Sequence, residues 1–190
     1  MDNVPYKEWA DYLGKILKEY GIDDGLVLDL GCGTGNMTEM LASSGYDMIG
    51  VDNSEEMLGE AMEKRAESGH EILYLEQDMR EFELYGTVRA VVSVCDCMNY
   101  ITEEDDLLTV FKLVNNYLDP DGIFYRNGMG DLIYKSDSDL HVCFLQSSVG
   151  SAESLIDLGL DIRLLQRIGK REALSGKMNL MRRPGSMCMI

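Results

Sequence analysis

One stretch limits what this chain can become: Val27-Leu28-Asp29-Leu30-Gly31-Cys32-Gly33-Thr34-Gly35-Asn36-Met37. Residues 25–30 are short, apolar and opened by a turn residue, the pattern of a buried parallel strand. Three glycines at alternate positions then let the backbone turn sharply and approach a ligand with no Cβ in between. A helix over residues 36–43 follows, so its positive N-terminal end faces that ligand. A strand, a glycine loop and a helix in this order predict a nucleotide or cofactor cradle.

The flanking sequence repeats the same alternation. After Pro5 the spacing of Trp9, Tyr12, Leu13, Ile16 and Leu17 predicts an amphipathic helix ending near Tyr20, with all five on its core-facing stripe. Gly21 to Gly25 is a helix stop and turn. Residues 47–52 read as a second strand ending in an acid. Ser54 then caps a helix that reaches about Glu67. A third strand covers residues 72–75 and a β-branched fourth covers 88–94. Thr102 is the expected cap of a helix carrying Leu107, Leu108, Phe111, Leu113 and Leu118. Asp119-Pro120-Asp121-Gly122 is a tight turn, and Ile123-Phe124-Tyr125 starts a fifth strand. With right-handed crossovers this order gives an α/β fold: a doubly wound, mostly parallel Rossmann-like sheet with helices on both faces.

Composition narrows the partners. A chain of 190 residues, 45% hydrophobic and 27% charged, suits one soluble domain. No apolar run approaches the ~18–20 residues of a membrane span, and the N-terminus lacks a signal peptide's basic and apolar regions, so the expected location is cytoplasmic. Cys32, Cys95, Cys97, Cys143 and Cys188 show no C-x-x-C spacing and only two histidines occur, which predicts reduced thiols and no metal site. A net charge of −17 argues against nucleic acid as a partner, because neutralising phosphates needs a basic face. The charge is unevenly placed. Residues 1–125 carry 8 Lys+Arg against 27 Asp+Glu, whereas residues 126–190 carry 9 against 7. The chain therefore divides into a core, 1–125, and an atypical C-terminal segment of the same domain, 126–190. Within that segment residues 151–158 suit a short helix, 160–168 a strand or helix, and 178–190 show no period.

Three acids fall at or just past the ends of the first three strands: Asp29, Asp52 and Asp78. In an open α/β sheet ligands bind at that edge. Asp29, beside the glycine loop, can pair with a cationic group. Asp52 can accept from both hydroxyls of a ribose. Asp78, with the Met79 backbone, can receive an exocyclic amine of adenine. A cofactor with an ammonium group, a ribose and an adenine satisfies all three. Simpler readings stand beside these: Asp52 as a helix cap, Asp78 as the cap of a turn through Arg80, Cys32 as a small filler, and Cys95 and Cys97 as packing beneath the site.

Asp29-Leu30-Gly31-Cys32-Gly33-Thr34-Gly35 resembles the acidic-x-Gly-x-Gly-x-Gly motif of class I S-adenosylmethionine-dependent methyltransferases. Val51-Asp52 matches the family's ribose acid, Gln77-Asp78-Met79 its adenine edge, and Cys95-Asp96-Cys97-Met98-Asn99-Tyr100 the segment near the methyl group. Val4-Pro5-Tyr6, Trp9 and Asn99-Tyr100 are similar to a bacterial small-molecule branch whose N-terminal helix closes over the cofactor. The resemblance covers residues 4–125. It implies S-adenosylmethionine as cofactor and S-adenosylhomocysteine as product, held by Asp29, Gly31, Cys32, Gly33, Gly35, Asp52, Asn53, Asp78, Met79 and Cys95. It implies a small-molecule acceptor in a pocket lined by Asp96, Asn99 and Tyr100, with Asp96 the candidate base. A nicotinamide-binding G-x-G-x-x-G fingerprint fails on spacing, since Asn36 and Thr38 stand where its third glycine belongs. No Gly-Lys-Ser/Thr occurs, which excludes a P-loop.

The tail departs from the family, which continues with a substrate-covering insertion and two antiparallel edge strands. Tyr125-Arg126-Asn127-Gly128-Met129-Gly130 lacks the expected apolar continuation. Either a divergent, shortened cap or a shifted reading frame from about residue 126 accounts for that. The break leaves a second functional reading open: a non-catalytic module, or partner-dependent subunit, that binds S-adenosylmethionine or S-adenosylhomocysteine without transferring a methyl group.

Overall fold

The computed structural model describes residues 5–95, 97–126, 131–135 and 141–145. Asp96, and the expectations for residues 151–158, 160–168 and 178–190, lie outside the described residues. In chain order the elements are α1 Tyr6–Glu19, β1 Leu26–Leu30, α2 Asn36–Ser43, β2 Asp47–Asp52, α3 Glu55–Ser68, β3 Ile72–Glu76, β4 Val88–Ser93, α4 Glu104–Tyr117, β5 Leu118–Arg126, β6 Asp131–Lys135 and β7 His141–Leu145. They build one sheet ordered β3-β2-β1-β4-β5-β6-β7. β1 to β5 pair in parallel. The chain winds outward from β1 to β3, then crosses back to β4 on the other side of β1. That reversal opens a crevice at the carboxyl ends of the strands.

Strand alternation distributes two cores over the two faces of the sheet. Leu28, Leu30, Ile49, Val51 and Phe124 pack with Leu107, Val110, Phe111 and Val114 of α4. Val27, Met48, Ala90, Val92, Ile123 and Tyr125 pack with Leu13, Ile16 and Leu17 of α1 and with Met37 and Leu41 of α2. Fully burying each large aliphatic side chain contributes ~1.5–3 kcal/mol. Asp29 shares the Val27 side of β1, one residue from Leu28 and Leu30, so period-two alternation aims it at α2.

Local chemistry explains most helix limits. α1 starts directly after Pro5, and α3 starts after Ser54, whose hydroxyl accepts a hydrogen bond from Met57 N–H at 3.4 Å. Gly69, with φ +74°, closes α3. Three expectations are corrected. The buried stripe of α1 is Ala10, Leu13, Ile16 and Leu17, whereas Trp9 and Tyr12 stay 36% and 43% exposed. The stripe is centred on the 10–13–17 line, and Trp9 and Tyr12 fall beside it. At α4 the cap residue is Glu103, not Thr102, with no side-chain cap bond. The turn at residues 119–122 lies inside β5 rather than before it. Val88 pairs with Leu118 and Ala90 with Ile123, so the extra residues loop out as a bulge in which Asp121 takes φ +67°.

β6 and β7 also correct the sequence reading, which finds no apolar continuation after Tyr125 and assigns no strand to residues 131–135 or 141–145. β5 continues to Arg126, and β6 and β7 add antiparallel to it and to each other. Each is five residues long, with three consecutive apolar residues at Leu132-Ile133-Tyr134 and two flanking Cys143 at Val142 and Phe144. Neither run follows the strand–helix alternation that marks β1 to β5; β6 takes its place by pairing with β5, and β7 by pairing with β6. Among the described residues no helix is long and apolar enough to cross a membrane.

Candidate functional site

The glycine loop joins β1 to α2 at the crevice. Gly31, Gly33 and Gly35 have φ of +83°, +54° and +73°, the left-handed region that glycine enters without penalty. Gly31 N–H and Cys32 N–H both donate to the Val51 carbonyl, at 2.8 and 3.0 Å, which fastens the loop to the end of β2. The Asp52 carboxylate completes that junction. Its Oδ2 accepts from Gly33 N–H at 2.8 Å and its Oδ1 from Ser54 N–H at 3.0 Å. Each oxygen keeps a free lone-pair site. Gly31 is needed for space as well as conformation, because a Cβ there would lie 2.6 Å from Cys97 Cβ and 2.8 Å from its sulfur. The turn after β4, Cys97–Tyr100, is thus pressed against the loop.

Asp29 is completely buried. Thr38 on α2 donates its hydroxyl to Asp29 Oδ2 at 2.6 Å, while Oδ1 is buried and has no partner among the described residues. Burial raises the carboxyl to a pKa of about 6, the Thr38 hydroxyl pulls it back, and the neighbouring Asp52 charge raises it further. A buried carboxylate oxygen without a donor is costly, and it marks a place where a cationic donor fits.

The third acid sits differently. Asp78 Oδ1 accepts from Arg80 N–H and Nε, both at 2.9 Å, and Oδ2 accepts from Nη2 at 2.5 Å. These bonds hold the Asp78 carboxyl below the usual carboxylate range. Arg80 Nη1 reaches on to Asp106 Oδ2 on α4 at 3.1 Å, so the loop after β3 is tied to α4. The expected turn through Arg80 therefore forms, and Asp78 presents its carboxylate already bound to a guanidinium.

The remaining candidates lie on the loop itself or on the segments that follow β2, β3 and β4. Met79 lies beside Gly31, where a Cβ would stand 3.4 Å from its Cε. Cys95 is exposed and takes φ +60°, a strained value for a residue with a Cβ, at the carboxyl end of β4. Asn53, Asn99 and Tyr100 are exposed. Cys32 is buried, and burial pushes its thiol up. Cys97 Sγ lies 2.8 Å from the Val94 carbonyl oxygen and 2.9 Å from that of Gly31. Burial first, then the Asp29 charge, push its thiol to about 12, so it stays protonated and acts as a donor rather than a nucleophile.

Two groups at the site carry no motif. Lys64 of α3 reaches the loop and the first residue of α2. Tyr74 pairs with Gly50 across β3 and β2, and its ring fills the space a Gly50 side chain would need. A lysine thirty residues from its acceptor leaves no spacing to read. An aromatic opposite a glycine in adjacent strands is legible only once strand register is known.

A family model described as "Methyltransferase domain" matches residues 27–122. The chain is 41% identical over 124 residues to "Putative methyltransferase YqeM" of Bacillus subtilis (strain 168), covering 65% of this chain and 48% of that protein. It is 30% identical over 117 residues to the ubiquinone biosynthesis O-methyltransferase of Actinobacillus pleuropneumoniae serotype 7 (strain AP76), covering 60% of this chain and 49% of that one. The chain thus spans about half the length of the curated relatives it matches. Its fold is similar to the crystal structure of an S-adenosylmethionine-dependent methyltransferase from Clostridium acetobutylicum ATCC 824. There the TM-score is 0.63 at 24% identity, over 80% of this chain and 78% of that one.

Proposed function

The chain belongs to the class I S-adenosylmethionine-dependent methyltransferases, and we propose that it transfers a methyl group to a small-molecule acceptor. The observation that carries this reading is the three-way junction of glycine loop, Asp52 and Asp29. A left-handed loop presents backbone with no Cβ at three glycines, one carboxylate retains acceptor sites on both oxygens, and a second, buried carboxylate has an oxygen without a donor among the described residues. These groups complement a backbone-contacting chain, a pair of ribose hydroxyls and an ammonium group. The cofactor, when bound, supplies an electrophilic methyl on a sulfonium whose leaving group is a neutral thioether.

The chain's own residues then have three tasks. Asp29 and Asp52 bind and orient, with Asn53 and the loop residues Gly31, Cys32, Gly33 and Gly35 against the same ligand. Met79, Asp78 and Cys95 border it from the β3 and β4 ends. Proximity and alignment supply most of the acceleration in such a displacement, so no strong base is required by the geometry. Where the acceptor must lose a proton early, Asp96 is the candidate to take it. The curated relative named for ubiquinone biosynthesis supports a small-molecule acceptor.

Calorimetric titration of the 190-residue chain with S-adenosylhomocysteine tests the cofactor half of this proposal. Asp52→Ala is expected to weaken binding about a hundredfold or more, and Asp52→Asn, which keeps one oxygen, by less. Unchanged affinity in Asp52→Ala would overturn the ribose assignment. Tritiated-methyl transfer from S-adenosylmethionine to a small-molecule extract tests the other half. Binding without transfer would favour the non-catalytic module.

A further inference from the structure

We infer that Lys64 on α3 is a positioning residue that keeps the glycine loop open toward the cofactor. The inference rests on the cofactor reading above and names a residue that no part of the glycine motif contains. Lys64 Nζ donates to the Thr34 carbonyl oxygen at 2.8 Å and to Asn36 Oδ1 at 2.6 Å. Thr34 stands between Gly33 and Gly35, and Asn36 is the first residue of α2. Two of the three ammonium protons are therefore spent where the loop becomes the helix.

Two consequences follow from that placement. Left-handed residues at Gly31, Gly33 and Gly35 give the loop little intrinsic preference for a single conformation. A cation on its central carbonyl ties it to α3, an element already anchored in the core through Leu58 and Ala61. The second consequence concerns Asn36. An asparagine at a helix start readily folds its side-chain oxygen onto neighbouring N–H groups. The cap position of α2 is Gly35, and no side chain caps the helix there. Its first-turn N–H groups are thus left for a ligand. Lys64 holds Asn36 Oδ1 away from them, so the amides at the helix start are not claimed by that oxygen, whereas Gly31, Cys32, Gly33 and Gly35 N–H are already bonded within the chain.

The test compares wild type, K64M, K64R and K64M/N36A, each as the full chain. It titrates S-adenosylhomocysteine and records the Tm with and without it. K64M is expected to bind about tenfold more weakly or worse, with a smaller ligand-induced rise in Tm. K64R is expected to recover most of the affinity, because its guanidinium reaches both acceptors. Removing the competing oxygen in K64M/N36A is expected to restore part of the loss, a recovery that a merely structural lysine would not produce. Were K64M not to fold, K64Q takes its place with the same expected loss. Affinity in the Lys64 variant within about twofold of wild type, or no recovery in either K64R or K64M/N36A, would overturn the inference. A wild-type chain that fails to bind S-adenosylhomocysteine would overturn the cofactor reading, and this inference with it.

Discussion

On the proposed function, Asp29 is the residue on which stability and binding oppose each other. Its folded pKa of about 6 stands above the ordinary 3.8, so between those values the folded chain holds a proton that the unfolded chain has released. Stability from this group is therefore fully present below pH ~4 and declines as pH rises through ~6, by up to about 3 kcal/mol. Urea unfolding of the ligand-free protein between pH 4 and 7 is expected to show that decline, and Asp29→Asn to lack it. A variant that keeps the wild-type slope would place the titration elsewhere. Under the proposed role of Asp29, cofactor affinity is expected to run the other way, since only the ionised carboxylate attracts an ammonium group. S-adenosylhomocysteine is expected to bind more tightly as pH rises from 5 to 7, and Asp29→Asn to bind weakly without that trend. The sequence shows an acid before three glycines; that the acid is buried, with one oxygen bonded to Thr38 and one without a partner, comes from α2 packing over it.

At the scale of elements, the pairing of β2 with β3 brings Gly50 opposite Tyr74. A Cβ on Gly50 would stand 2.6 Å from the Tyr74 ring and 2.9 Å from Cys32 Sγ. Gly50→Ala is expected to destabilise the protein by about 1–3 kcal/mol through overpacking, read as a lowered urea midpoint with an unchanged m-value. The same ring lies against the site of Gly35, so one tyrosine supports both a strand and the end of the loop. Strand and helix identities were legible from residue 6 to about 125, because long apolar runs and alternating elements dominate there. Helix facing was less legible. Trp9 and Tyr12 fit the helical period yet lie beside the buried stripe, because α2 and the sheet, not α1 itself, choose which side is covered. β6 and β7 escaped notice because they fall outside the strand–helix alternation that marks β1 to β5, and each takes its place by pairing with the strand before it.

For the molecule as a whole, charge is the dominant unspent feature. A net of −17, concentrated before residue 126, sets acids against one another over one region of the chain. Folding gathers those charges, so salt should relieve the repulsion. The Tm is expected to rise by several degrees between about 10 and 200 mM KCl at neutral pH. A flat salt response would mean that the excess carboxylates lie far enough apart in water to repel one another little, and would overturn this expectation.

The sequence by itself determined the fold class and the order of elements as far as β5, and the resemblance its motifs carry supplied the cofactor. Glycine spacing and strand-terminal acids are local, and their chemistry follows from residue type. Tertiary structure alone decided which oxygen of Asp29 is left without a donor, that Arg80 reaches on to Asp106, that Cys97 presses on Gly31, and that Lys64 reaches Thr34 and Asn36. Each of these is a contact between groups whose meeting depends on turn geometry, strand register or helix packing. No spacing along the chain encodes it.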